Sequence, residues 1–190
     1  MLAASLAVAT LFAIAGLQAQ TAKQRTDQSG QTSKDSAKGT VGMAKASAAG
    51  QRFVTGAVQA DMAEVEIGKL PQQNGSSADV KSFGQMLEQD HGKHLQQAQQ
   101  LASQVGVTPP SAPSAEQTAT VDKLNKLSGA AFDKQFAAAM IKDHREDVAK
   151  FQKMAKQKNP VGEFAGQTVP TLQKHLQTAE ALTSAKQSKR

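Results

Sequence analysis

Four long stretches of this sequence repeat their apolar residues with a helical period, and this pattern constrains the fold more than any other feature. The stretches run over residues 50–70, 76–105, 130–158 and 161–185. Each carries apolar residues at spacings of three and four, which is typical of an amphipathic helix. No stretch alternates with a period of two over the length of a strand, and β-branched residues are sparse. The sequence therefore predicts an all-α fold.

The segments between these stretches predict how the helices are connected. Pro71 and Gly75 end the first helix, Gly106 suits the C-cap of the second, and Pro160 ends the third. A proline-rich loop and a short helix over 115–127 lie between the second and third long helices. Short connections make neighbouring helices antiparallel. We therefore expect an up-down-up-down four-helix bundle with one extra short helix before the third main helix.

The two ends of the chain differ in composition from this bundle, which is predicted over 50–186. Residues 1–19 predict a secretory signal peptide, because an apolar run leads to a small-residue cleavage site at Ala19. An N-terminal membrane anchor is the alternative. Residues 20–49 are rich in Gln, Ser, Thr, Lys and Gly, which predicts a disordered linker, and 187–190 form a basic tail. The mature protein is expected in the periplasm or outside the cell.

The composition argues against several classes of protein. Lys and Arg total 22 against 16 acidic residues, and the net charge of +6 is spread along the chain. With no Tyr or Trp to stack on bases, this diffuse charge does not predict nucleic-acid binding. The absence of Cys excludes disulfides, thiolate metal sites and thiol catalysis. No spacing predicts a nucleophile with its base, and there is no glycine-rich phosphate loop.

All four histidines of the chain fall on the apolar faces of the predicted helices. His91 and His94 share the stripe of the second helix, His144 lies on that of the third and His175 on that of the last. Counted from the turns, His91, His144 and His175 each lie about 14 residues from a helix end. At a rise of about 1.5 Å per residue they are predicted at one level near mid-bundle. His94 lies about one turn deeper and is a further candidate ligand or a supporting residue.

Three acidic residues also fall within the apolar faces. Asp61 and Glu64 lie on the first helix, and Asp147 lies on the third, one turn from its histidine. A count from the first turn places Ala57 level with His91. By the same count Asp61 lies about 6 Å and Glu64 about 10 Å from that level. These three acids are the candidates for a carboxylate partner of the histidines.

Two interpretations of the inward histidines remain open. In the first, His91, His144 and His175 offer neutral nitrogens to one cation, and Glu64 or Asp61 supplies an oxygen. Such a donor set suits zinc, iron, copper or nickel. In the second, the histidines form a buried hydrogen-bonded network in a structural or interaction module of the cell envelope. Both describe a non-enzymatic protein, and its oligomeric state stays open.

A metal-dependent oxidoreductase is a third hypothesis. The di-iron centre of ferritins is not expected, because it needs Glu-x-x-His on two helices and only residues 88–91 have that spacing.

Several segments, in the same order, resemble an exported bacterial family, domain-of-unknown-function family 4142, which is grouped with ferritin-like bundles. The segments are AEVEIGKL at 63–70, VKSFGQM at 80–86, DH at 90–91, LSGAAFD at 127–133, DHREDV at 143–148 and LQKHL at 172–176. The resemblance covers about residues 50–182 and includes Glu64, His91, His144 and His175. His94 and Pro71 depart from the family pattern. The resemblance implies an exported ferritin-like bundle and assigns no reaction.

Overall fold

The computed structural model describes residues 45–187, with side chains described as far as residue 184. This part of the chain forms five helices: α1 (Ala48–Asn74), α2 (Ala78–Gln104), α3 (Ala115–Asn125), α4 (Gly129–Met154) and α5 (Pro160–Gln187). No strand forms between residues 45 and 187, where one isolated backbone bridge joins Gly75 to Gly129. The all-α prediction is confirmed. The predicted signal peptide, residues 20–44 of the predicted linker and residues 188–190 of the basic tail lie outside the described residues.

The bundle consists of two helical hairpins. α1 packs along α2, α4 packs along α5, and the short α3 lies against α1 and α4. Because residues 75–77 and 155–159 form short connections, the helices within each hairpin are antiparallel. The predicted up-down-up-down bundle with one extra short helix is confirmed. Within residues 45–187, no helix combines the length and apolarity that crossing a membrane requires.

The ends of two helices differ from the sequence prediction. α1 begins at Ala48, two residues early, because the Ser47 hydroxyl caps it by accepting from the Gly50 amide at 3.2 Å. At its other end α1 continues past Pro71 to Asn74. α4 ends at Met154 rather than near residue 158. There the Gln157 amide donates to the Met154 carbonyl three residues back, which tightens the chain into a turn.

Pro71 removes one helical hydrogen bond without ending α1, because its ring is buried against α2. A Cβ atom on Gly84 of α2 would lie 2.6 Å from Pro71 Cγ. One turn earlier in α1, a Cβ on Gly68 would lie 2.7 Å from Glu88 N and 2.8 Å from Gly84 O. The two helices therefore touch backbone to backbone at this point. The close packing offsets the hydrogen bond that proline cannot make.

The interior changes character along the bundle axis. One end is an apolar cluster of buried side chains: Ile67, Val80, Phe83, Leu87, Leu124, Phe132, Phe136, Met140 and Ala179. Smaller apolar clusters fill the opposite end, with Val54, Ala57, Leu101, Ala102, Val105, Phe151, Val161, Ala165 and Leu172. The buried histidines and acids lie between these ends, since His91 follows Leu87 by one turn and His144 follows Met140 by one turn. The bundle thus has a polar middle layer.

Asp133 ties the two hairpins together at the apolar end. Its carboxylate accepts hydrogen bonds from the Ser76 amide at 3.0 Å, the Ser76 hydroxyl at 2.6 Å and the Ser77 amide at 3.1 Å. Ser77 is the N-cap of α2, but its own side chain makes no capping bond. A carboxylate from α4 therefore caps α2 and compensates the unpaired amides at its N-terminus.

Candidate metal centre

Three histidines from three helices meet in the polar middle layer. His91 of α2, His144 of α4 and His175 of α5 are 6%, 1% and 0% exposed. One ring nitrogen of each lies within 4.8 Å of one from each of the others. The ring centroids are 5.2 to 5.6 Å apart. The structure therefore brings together the three residues that the helix count placed at one level, and we call them the histidine triad.

Each triad histidine is held from behind by an acceptor on its outer ring nitrogen. His144 Nδ1 lies 3.1 Å from the Met140 carbonyl oxygen one turn earlier in α4. His175 Nε2 lies 3.1 Å from Asp90 Oδ2 of α2. The third ring, His91, has its Nδ1 2.9 Å from Asp61 Oδ1 of α1. These contacts assign the N–H of each neutral ring to its outer nitrogen.

The inner nitrogens are then left with lone pairs. His144 Nε2 and His175 Nδ1 lie 3.2 Å apart and face each other. His91 Nε2 is buried and has no hydrogen-bond partner among the described residues. Because a neutral imidazole carries only one N–H, the inner nitrogens cannot all be satisfied by the protein. A cation among them would satisfy all three, whereas a proton shared by His144 and His175 would satisfy two.

The imidazoles of His144 and His175 are neutral at neutral pH. Burial, together with His91 and His175, lowers the pKa of His144 from 6.5 to about 3. Burial and the neighbouring His91 lower the pKa of His175 from 6.5 to about 4, although Asp90 acts in the opposite direction. The cause in both cases is the loss of water around a charge that the interior cannot solvate. Neutral imidazole is the form that binds metal ions.

His94 supports the triad through Asp61. Its Nδ1 lies 2.8 Å from Asp61 Oδ1 and 2.7 Å from Asp61 Oδ2, so one carboxylate bridges His91 and His94. The opposite nitrogen, Nε2, lies 2.8 Å from Thr168 Oγ1 of α5. The Thr168 hydroxyl also donates to the Phe164 carbonyl at 2.8 Å, which fixes its position beside His94. His94 thus orients the carboxylate that orients His91.

Glu64 reaches the triad through His144 alone. The group of close ligand atoms that contains Glu64 also contains Asp143 and His144, with all three atoms within 4.8 Å of one another. Glu64 is 1% exposed, and neither of its carboxylate oxygens has a hydrogen-bond partner among the described residues. Burial raises the pKa of Glu64 well above 4.5, and the nearby acids Asp143, Asp147 and Asp61 raise it further.

Asp147 is also part of this acidic surrounding. It is buried beside Lys150, whose ammonium donates to Asp147 Oδ1 at 3.1 Å. Burial raises the pKa of Asp147 from 3.8 to about 6, Asp143 adds to the rise, and Lys150 opposes it. Asp147 belongs to neither group of close ligand atoms within the described residues. Its carboxyl group therefore contributes to the electrostatic potential around the centre. That Asp147 is a metal ligand stays a prediction.

The sequence count misplaced α1 by about one turn. It put Ala57 level with His91, whereas Asp61 lies there in the structure. The reason is that the connection between α1 and α2 is centred on residue 76, two residues later than the pivot at Asn74 that the count used, which moves the level residue by four. Asp61 therefore orients His91 directly. Glu64 lies one turn further along α1, near His144.

Two further acids belong to the centre and were absent from the predicted set. Asp90 accepts from His175, and Asp143 joins Glu64 and His144. Each of the two directly precedes a triad histidine in the sequence, as Asp90-His91 and Asp143-His144. This repeated Asp-His pair is the sequence signal for the two acids. A helical wheel does not select them, because the residue before an inward histidine is not on the apolar stripe of its own helix.

Two clefts lead from the surface toward the centre. One, of about 280 Å³, lies between α2 and α5 and is lined by His91, His94 and His175. The other, of about 510 Å³, lies between α1, α3 and α4 and is lined by Glu64 and Asp143. The clefts have different lining residues, so the imidazole side and the carboxylate side of the centre have separate routes to solvent.

The fold and this centre define an all-α helical-bundle domain with a buried histidine cluster. The chain belongs to a family described as a domain of unknown function, DUF4142, whose model matches residues 35–182. That assignment confirms the family resemblance of the sequence. No curated protein matches the chain.

The structure is similar to the crystal structure of a DUF305 fragment from Deinococcus radiodurans. The TM-score is 0.66 at 20% sequence identity, over 74% of this chain and 99% of that chain. At this identity the similarity shows the fold alone.

Proposed function

We propose that this protein is an exported, non-enzymatic bundle that binds one transition metal ion at His91, His144 and His175. The observation that carries the proposal is the arrangement of the ring nitrogens. Each outer nitrogen is anchored by a carbonyl or a carboxylate, and each inner nitrogen is left without a proton. Metal-binding histidines in proteins are oriented in this way by hydrogen bonds to their second nitrogen.

The spacing of the inner nitrogens supports the same proposal. Two imidazoles bound tetrahedrally at a metal–nitrogen distance of about 2.0–2.1 Å have their nitrogens about 3.3 Å apart. His144 Nε2 and His175 Nδ1 are 3.2 Å apart. Three nitrogen donors without a thiolate suit zinc, iron, copper or nickel. The cleft between α2 and α5 leaves room for water or another small ligand in a further coordination position.

A metal-free polar network is the second candidate function, in a structural or interaction module of the cell envelope. The contact between His144 and His175 favours it, because a shared proton fits a distance of 3.2 Å as well as a metal does. His91 weighs against it, since a network that satisfies itself would not leave Nε2 of that ring buried and unpaired. The two functions differ in whether the inner nitrogens hold an ion.

Elemental analysis of the untagged protein tests the proposal. We expect about one equivalent of a transition metal after loading with zinc, copper, nickel or iron and gel filtration. The triple variant His91→Ala, His144→Ala, His175→Ala should lose it. The variant His94→Gln is the matched control and should keep the stoichiometry. A wild-type protein that takes up none of these metals, and whose thermal midpoint ignores them, would refute metal binding and favour the polar network.

Export is a separate part of the proposal, supported by the apolar run and the cleavage site at Ala19. Expression of the full chain followed by fractionation and N-terminal sequencing tests it. A mature protein that begins near residue 20 in the periplasm or the medium is the expected result. Full-length protein retained in the cytoplasm contradicts export, and full-length protein in the membrane fraction favours the N-terminal anchor.

A further inference from the structure

We propose that Glu64, Asp143 and His144 form a second cation position, which binds a divalent ion that prefers oxygen ligands, such as Mn²⁺ or Fe²⁺. Two carboxylates and one imidazole suit such ions better than a set of three imidazoles does. The position shares His144 with the triad, and because His144 Nδ1 is bonded to the Met140 carbonyl, the one free ring nitrogen binds an ion in either position but not in both at once. The proposal rests on the metal-binding function proposed above. It needs neither His91 nor His175, so it stands even if the triad holds no ion.

Glu64 is the residue that the rest of the protein leaves unexplained. Its side chain is 1% exposed, and its ionised carboxylate has no hydrogen-bond donor among the described residues. Only the protonated acid has a partner, because it can donate to the neighbouring Asp143. An ionised buried carboxylate without a donor is costly, because its lost contacts with water are not replaced. Native proteins rarely carry such a group without a reason. A cation bound to Glu64 would supply the missing partner.

The geometry provides the other ligands. One ligand atom each from Glu64, Asp143 and His144 lies within 4.8 Å of the others, which is close enough for one ion to bind all three. Asp143 is half-buried on α4, and Glu64 enters from α1. The set therefore joins two helices from different hairpins. The donors are independent of Asp61 and Asp90, which are engaged with the histidines.

The surrounding charge favours a cation at this position. Asp143, Asp147 and Asp61 all lie close enough to act electrostatically on Glu64, so together they create a negative potential at its carboxyl group. Such a potential attracts a divalent ion as well as a proton. Two of the three lysines that line the same cleft are paired with acids, since Lys142 contacts Glu146 at 2.8 Å and Lys150 contacts Asp147 at 3.1 Å. Their positive charges are therefore partly offset.

A separate cleft gives an ion access to the position. The cleft of about 510 Å³ between α1, α3 and α4 has Glu64 and Asp143 among its lining residues. Glu116 and Glu146 also line it, together with Lys123, Lys142 and Lys150. The cleft lined by His91 and His175 is on other helices. An ion can therefore reach the carboxylates without passing the imidazoles of α2 and α5.

Titration of the full chain with Mn²⁺ tests the proposal, with the loss of the free-ion paramagnetic resonance signal as the readout. We expect the variant His91→Ala, His175→Ala, in which the triad is disabled, to bind about one Mn²⁺. Adding Asp143→Asn or Glu64→Gln to that variant should weaken Mn²⁺ binding by about tenfold or more. The single variants Asp143→Asn and Glu64→Gln should still bind Co²⁺ at the triad, followed by its visible absorption. Circular dichroism checks that every variant is folded.

The outcomes separate the two proposals. If wild type binds no Mn²⁺, or if Asp143→Asn and Glu64→Gln leave the Mn²⁺ affinity unchanged, the second position does not exist. If Mn²⁺ binding disappears in His91→Ala, His175→Ala and persists in Asp143→Asn, the ion binds at the triad and the second position is again refuted. If Mn²⁺ binds as expected but Co²⁺ and the other transition metals do not, the triad proposal fails and the second position stands.

Discussion

The apolar end of the bundle and its polar middle layer are built from the same helices but differ in how their buried side chains affect stability. At the apolar end, Phe83, Phe132 and Phe136 pack edge-on and stacked with ring centroids 5.5 to 5.9 Å apart. Every contact there stabilises the fold through burial. In the middle layer, histidines and acids of equal burial leave Glu64 and His91 with unpaired polar atoms. The middle layer therefore costs stability, which the apolar end offsets, and the metal centre proposed above would account for that cost.

Substitution at the apolar end should give the largest loss of stability. Phe136 is fully buried, so Phe136→Ala removes a large apolar side chain and leaves a cavity. We expect the free energy of unfolding to fall by about 3–5 kcal/mol in urea denaturation at pH 7. The metal stoichiometry of the folded fraction should stay that of wild type. A loss below about 1 kcal/mol would mean that the apolar end does not dominate the stability of the bundle.

Acid should destabilise the metal-free middle layer through its histidines. His144 and His175 have pKa values of about 3 and about 4 in the folded protein against 6.5 when unfolded, so the unfolded chain binds more protons below pH 6.5. The stability that the two neutral histidines contribute is present above pH 6.5 and is lost as the pH falls toward 4. The variant His144→Gln, His175→Gln should therefore gain about 2–4 kcal/mol relative to wild type between pH 7 and pH 5.

Asp147 changes the free energy of unfolding with pH in the opposite direction, so wild type must be compared with the histidine variant. Its folded pKa of about 6 lies above the ordinary 3.8, so the stability that protonated Asp147 contributes is lost as the pH rises from 3.8 to about 6. Wild type alone should show a shallower profile, because Asp147 partly offsets the two histidines. Equal pH profiles for wild type and the double variant would contradict the neutral, buried state of the histidines.

Glu64→Gln should stabilise the metal-free protein. The raised pKa of Glu64 means that burial penalises its ionised carboxylate in the folded state, and a neutral amide carries no such penalty. We expect the free energy of unfolding to rise at pH 7 by about 1–3 kcal/mol, the usual cost of a buried polar group without a donor. The gain should shrink as the pH falls toward the ordinary Glu pKa of 4.5. Asp79→Asn, an exposed acid in the first turn of α2, is the matched control without such a gain. A loss at pH 7 would mean that the ionised carboxylate has a partner in the metal-free protein.

His94→Gln should have the smallest effect, on metal affinity alone. His94 orients Asp61, and Asp61 orients His91. Residues that orient a ligand in this way typically contribute about 10- to 100-fold in affinity, and His94 acts through one further bond, so we expect about tenfold. Competition with a chromogenic chelator measures it, with the stoichiometry unchanged. An affinity equal to wild type would show that Asp61 holds His91 without help.

The histidine triad could be located from the sequence because helices have a regular rise. The distances of His91, His144 and His175 from their turns depend only on that rise and on turns marked by Gly and Pro. The positions of their partners depend on how far each side chain reaches between helices, which a helical wheel does not contain. Asp90 and Asp133 therefore escaped prediction, since each acts on another helix from a position off its own apolar stripe. The predicted end of α1 at Pro71 was wrong for the opposite reason, because a packing contact with α2 overrides the local preference of proline to end a helix.

The contact between Gly68 and Gly84 sets the register of the centre. Asp61 lies seven residues before Gly68, and His91 lies seven residues after Gly84, so in antiparallel helices the two come face to face. The close contact between the two glycines fixes the axial register of α1 against α2. A side chain at either glycine would have to displace backbone atoms that lie less than 3 Å away. The position of the Asp61 carboxylate behind His91 is therefore set by two glycines that lie two turns away along the helices.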